Sequence, residues 1–173
     1  MSEISWIALT AIASWALVGV TWIFLNRQII VSRKDSKVRL QIIYEEKFDS
    51  SAMIAERKKL AEQLLNNETH ENIQEAVMNF YESVGTFFQR GYLDPEMAWS
   101  GFSFYAIRWW SATKDYIFEE RRIQNNDPTI FEEFETLVDE FYKLEIAERH
   151  LSRAQLEPSP DDLKRFLGAE ARL

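Results

Sequence analysis

Cysteine is absent from this sequence, glycine occurs 5 times, proline 4 times, and histidine only at His70 and His150. Each scarcity narrows the chemistry. Without cysteine there is no disulfide, no thiolate nucleophile and no cysteine-based zinc site, and the lack fits a reducing compartment. So few chain breakers in 173 residues favour long helices over a loop-rich β fold. There is no Gly-rich phosphate loop, no Gly-x-Ser-x-Gly elbow and no histidine base close in sequence to a serine. A di-iron carboxylate site needs Glu-x-x-His on two helices. The residue three before His150 is Ala147 and the one three before His70 is Asn67, so neither fits. Adjacent carboxylates such as Glu119-Glu120 and Glu132-Glu133 point about 100° apart on a helix, and form a solubilising face rather than a dyad. The expectation is no cofactor, no metal and no enzyme activity.

The net charge of −8 hides an asymmetry. Residues 26–39 carry Arg27, Arg33, Lys34, Lys37 and Arg39 against Asp35 alone, whereas residues 40–173 carry 15 basic and 26 acidic side chains, a net of −11. So acidic a domain is repelled by phosphates, which disfavours nucleic acid as a partner. Just ahead of the basic stretch, residues 4–25 read ISWIALTAIASWALVGVTWIFL and hold no charge. At about 1.5 Å per residue this run reaches roughly 33 Å, close to the thickness of a bilayer's hydrocarbon core. Trp6 and Trp22 lie near its two ends, where indoles favour the headgroup boundary, while Trp15 in the middle faces a partner helix or lipid. A signal peptide would have a basic start and a shorter apolar run, and here the start is Met-Ser-Glu. A peripheral soluble helix would be apolar on one face only. The pattern predicts one transmembrane helix. The five basic residues on its C-terminal side put that side in the cytoplasm and the N-terminus outside, in the inner membrane. The same cluster could hold anionic headgroups at about 1 kcal/mol per basic residue, although setting topology is explanation enough. Thr10 and Ser14 are a weak small-residue pair for self-association of that helix.

The soluble part divides at start and stop signals. Phe48-Asp49-Ser50-Ser51 offers cap oxygens ahead of Met53, Ile54, Leu60, Ala61, Leu64 and Leu65, and Asn66-Asn67 ends that helix. Thr69 is the candidate cap of the next, with Val77, Phe80, Val84, Phe87 and Phe88 on one stripe and Gly91 closing it. Asp94-Pro95 starts a helix that is apolar nearly all the way round, predicted to be central and buried on several sides. Asn125-Asn126-Asp127-Pro128 repeats the start device before the stripe Ile130, Phe131, Phe134, Leu137, Val138, Phe141 and Leu144. Residues 157–162 break the chain and cap a short helix ending at Gly168. The predicted fold is all-α. It comprises a tail (1–3), a transmembrane helix (4–25), a basic connector (26–44), an acidic bundle of four main helices (45–153), and a linker with a short amphipathic C-terminal helix (154–173). The connector either prolongs the membrane helix or breaks at the polar residues 32–37.

The middle of the chain carries a set of patterns: Glu46-Lys47-Phe48-Asp49-Ser50, Glu56-Arg57-Lys58-Lys59-Leu60-Ala61, Val77-Met78-Asn79-Phe80-Tyr81-Glu82-Ser83-Val84-Gly85, Gln89-Arg90-Gly91-Tyr92-Leu93-Asp94, Ile107-Arg108-Trp109-Trp110 and Phe131-Glu132-Glu133-Phe134-Glu135. Over roughly residues 44–142 these resemble the bacterial family catalogued as domain of unknown function 4760. The resemblance implies a helical domain, often preceded by a transmembrane helix, with no established reaction, cofactor or catalytic residue.

Three features stand out. Arg108 sits in the most apolar helix and must be paired if buried, with Glu82 and Asp115 as candidate partners. Trp109-Trp110 places two indoles on different faces, as core filling or with one exposed. Gly85 and Gly91 permit tight helix contact, within the domain or with a partner; so do the small residues of Ser100-Gly101-Phe102-Ser103. The function expected is that of a membrane-anchored scaffold, adaptor or regulatory module acting through a protein partner or self-association. One alternative is a ligand sensor or unrecognised enzyme with a pocket around Arg108. Another is a membrane-acting effector of a defence or toxin system.

Overall fold

The computed structural model describes the backbone at residues 3–68 and 72–173, and the side chains of those stretches except at 3–14, 16–20, 29–31 and 33. Trp6, Thr10, Ser14, Arg33, Thr69 and His70, singled out above, lie outside the described residues. Seven helices and no strand occur among the described residues: α1 Glu3–Phe48, α2 Ser51–Leu65, α3 Ala76–Gln89, α4 Pro95–Ile123, α5 Glu132–Arg149, α6 Arg153–Leu156 and α7 Pro160–Glu170. The chain forms two compact units, Met1–Arg39 and Leu40–Leu173.

In the first unit the backbone is helical through residues 32–37, so the connector prolongs the helix rather than breaking it. The Ser36 hydroxyl donates to the Ser32 carbonyl at 2.8 Å, turning a polar side chain back onto its own helix. Trp15, Trp22, Ile23, Phe24 and Leu25 are exposed, as are Arg27, Lys34 and Arg39, with Lys37 half-buried. Among the described residues no helix is long and apolar enough to cross a membrane. Most side chains of the predicted span, residues 4–25, lie outside that set.

The second unit begins with the last turns of α1, whose Tyr44 and Phe48 enter the core against Phe80 of α3 at ring separations of 5.8 and 5.4 Å. Capping explains where the next helices start. Ser50 accepts from the Met53 amide at 3.2 Å to open α2. Asp94 accepts from the Glu96 and Met97 amides to open α4, with Pro95 in its first turn. Ser159 and Asp162 form a reciprocal box ahead of α7. Gly91, at φ +70°, gives α3 the left-handed residue that ends it.

Three predicted boundaries are corrected. Helix α3 starts at Ala76, after Glu75, which makes no side-chain cap bond. The Asn125–Pro128 device yields only a turn, in which the Asp127 carboxylate accepts from the Thr129 amide at 2.9 Å. Phe131 then adopts a left-handed conformation (φ 54°) that delays α5 to Glu132. Helix α7 continues past Gly168 to Glu170.

Helices α3 and α5 pack most extensively, α4 lies against both, and α7 covers α2 and part of α4. Trp109, Tyr81, Phe80, Phe102, Phe134 and Phe141 are almost wholly buried; complete burial of one large apolar side chain is worth about 1.5–3 kcal/mol. Tyr81 stacks on Phe134 at 5.0 Å and Trp110 meets the same ring edge-on at 5.3 Å, so α3, α4 and α5 share one aromatic centre. Phe166 of α7 meets Trp109 edge-on at 5.1 Å. The prediction for α4 holds for this inner side, but Phe104, Phe118 and Ile123 are exposed on the other.

Candidate functional site

Arg108 has neither predicted partner. It is half-buried, and burial pulls its guanidinium below the usual arginine range while the more distant Asp162, Tyr142 and Glu145 pull it back up. Its Nη1 donates to the Phe104 carbonyl one turn earlier at 3.0 Å, and its guanidinium lies 3.6 Å from the centroid of the Phe104 ring. No carboxylate of the described residues lies within ion-pair reach of it. A local carbonyl and a ring face substitute for a carboxylate because the group keeps enough solvent contact to stay charged.

Glu82 is used elsewhere. Its carboxylate accepts from the Phe134 amide at 2.8 Å and the Glu133 amide at 3.3 Å. It therefore caps α5 from a neighbouring helix, where Phe131 supplies no side-chain cap of its own. Burial raises its pKa above the ordinary 4.5, and the two amides oppose the rise. Asp115 is exposed on α4, and Trp109 and Trp110 are both core. Gly85 presses on the Glu133 carbonyl and Gly101 on the Gln41 and Glu45 side chains, so both glycines serve contacts inside the domain.

What Arg108 does reach is a concavity of about 460 Å³ between α4, α5 and α6. Trp99, Ile107 and Leu156 give it apolar wall, and Ser103, Glu145 and Arg149 give it polar floor and rim. Glu145 is buried; its Oε2 lies 2.5 Å from Arg149 Nε, and its Oε1 accepts a long 3.4 Å bond from the Ser103 hydroxyl. The mouth is open, since Phe104 and the Arg149 side chain are both more than half exposed. A second, shallower hollow of about 390 Å³ lies on the other side of Phe104 and Arg108, against α7.

Arg149 with Glu145 was legible as an i, i+4 ion pair on a helix. Ser103, 42 residues before Glu145, carried no such signal. Arg57 was missed altogether. It is buried, and its Nε donates to Glu170 Oε2 at 2.7 Å while Nη1 donates to the Phe48 carbonyl at 3.2 Å, joining α2 to α7 and to the end of α1. Among the described residues no group of acidic or histidine side chains could hold a metal ion.

The model of one family, described as Domain of unknown function (DUF4760), matches residues 6–141. The match is wider than the resemblance read from the sequence, because it takes in the apolar run and the basic connector. No curated protein and no solved structure matches the chain.

Proposed function

We propose a function from one premise: the chain belongs to the DUF4760 family of domains of unknown function. It is a single-pass inner-membrane protein with its N-terminus outside and its acidic helical domain in the cytoplasm. That domain holds a protein partner, as a scaffold or regulatory subunit. The observation that carries the anchor is the uncharged run 4–25 followed by five basic residues within 26–39. The exposure of Trp15, Trp22 and Phe24 supports it, since large apolar side chains in a row call for a non-aqueous or protein neighbour. Arg108 favours a second reading, in which the domain is a ligand sensor: its guanidinium has no carboxylate partner and borders a concavity of drug-like size.

The test is purification of tagged full-length protein from its native membranes. Resistance to an alkaline carbonate wash, with release only by detergent, is expected of the anchor; release by carbonate rules the anchor out. A stoichiometric protein that co-purifies supports the partner reading. Recovery of the protein alone moves weight to the sensor.

A further inference from the structure

We propose that the concavity between α4, α5 and α6 binds a small organic carboxylate with a flat apolar body, its anionic head on Arg108. This rests on the sensor reading above and names its ligand class.

The charge balance of the lining is the first reason. Arg108, Arg149 and Glu145 face the space, a net of +1, inside a domain whose net charge is −11. Glu145 is already paired in charge with Arg149, and Ser103 donates to its Oε1. Arg108 spends one N–H on a carbonyl of its own helix, which leaves donors for an incoming group. A guanidinium fork matches a carboxylate in two parallel hydrogen bonds. One spare positive charge suits a monoanion; a phosphate dianion would face the buried Glu145 with its second charge unpaired.

The wall supplies the second reason. Trp99, Ile107 and Leu156 contribute apolar surface to the lining. About 460 Å³ accommodates a bicyclic body. The Phe104 ring, its centroid 3.6 Å from the Arg108 guanidinium, and the Phe104 carbonyl hold that group at the site before binding.

The experiment is isothermal titration of full-length protein in detergent micelles with 2-naphthoate, with 2-naphthamide as its uncharged isostere, and with inorganic phosphate. Expected is binding of naphthoate, binding of the amide weaker by about tenfold or more, and none by phosphate. Arg108→Gln should weaken naphthoate by about tenfold to a hundredfold, and Arg108→Lys by less, while thermal unfolding stays near the parent's because the side chain is half exposed. Ile107→Ala should weaken acid and amide alike. Equal affinity for acid and amide, both lost in Ile107→Ala, would overturn the anionic class while leaving the sensor reading standing. No binding of either compound up to about ten millimolar would overturn both, and binding indifferent to Arg108→Gln would remove the site.

Discussion

Arg57 and Glu170 show how one residue's surroundings decide what its charge does. Their side chains are each 6% exposed, and the guanidinium also lies 4.2 Å from the Phe48 ring. Removing one partner of such a buried pair strands the other charge, at about 3–5 kcal/mol, whereas replacing both by apolar groups is often neutral. Arg57→Met is therefore expected to destabilise the protein by about that amount, with most of the loss recovered in Arg57→Met/Glu170→Leu, as read from urea midpoints in detergent micelles. Additive losses in the double variant would count against the pair. Glu82 makes a pH-dependent case. Its folded pKa is raised by burial, so its stabilising linkage is fully present below 4.5 and lost as pH rises through the folded value. Glu82→Gln keeps an acceptor and removes the charge. Its midpoint should gain on the parent's as pH goes from about 4 to about 8, and parallel curves would contradict the shift. Glu82→Ala should cost about 1–2 kcal/mol, because the Glu133 and Phe134 amides lose their acceptor. The sequence singled out Arg108, a charge in the most apolar helix, and offered Glu82 only as its candidate partner. It could not pair them, because Glu82 reaches residues 51 and 52 positions away. Arg57 was hidden in Glu56-Arg57-Lys58-Lys59, which reads as solvated surface, and its partner lies 113 residues off.

Helix ends were legible where the signal is chemical and local. Ser50, Asp94-Pro95, Ser159-Pro160 and Gly91 act as read, since a cap or a left-handed glycine satisfies backbone groups within a few residues. The start of α5 was not legible, because its cap comes from α3 and Phe131 interrupts the turn after Pro128. Two glycines on helix faces give a sharp comparison. A Cβ on Gly85 would overlap the backbone carbonyl of Glu133, and backbone cannot swing aside. A Cβ on Gly101 would come within 2.8 Å of Gln41 Nε2 and Glu45 Oε1, the hydrogen-bonded ends of two side chains that can shift together where a backbone cannot. Both changes gain about 1 kcal/mol of helix propensity. Gly85→Ala should still lose about 1–3 kcal/mol net by pushing α3 from α5, whereas Gly101→Ala should stay within about 1 kcal/mol of the parent. Thermal unfolding of the two variants side by side decides it; equal effects would mean that α3 and α5 have room to separate.

For the whole molecule, charge is distributed by segment: none over 4–25, a net of +4 over 26–39 and −11 over 40–173. If orientation follows the basic flank, it should follow when the flank is moved. Changing Arg27, Arg33, Lys34, Lys37 and Arg39 to Gln, with Ser2→Lys and Glu3→Lys, places the basic excess ahead of the apolar run. The lack of cysteine makes the readout clean, because Leu173→Cys, at an exposed position, introduces a single thiol. With the flank unchanged, a membrane-impermeant maleimide should label that thiol only after the inner membrane is opened. With the flank moved, a substantial fraction should be labelled in intact spheroplasts. Labelling of the unchanged protein in intact spheroplasts would reverse the orientation. Protection that persists after the flank is moved would mean that the folded acidic domain, rather than the five basic residues, holds the orientation, since long segments obey flanking charge less closely than short ones.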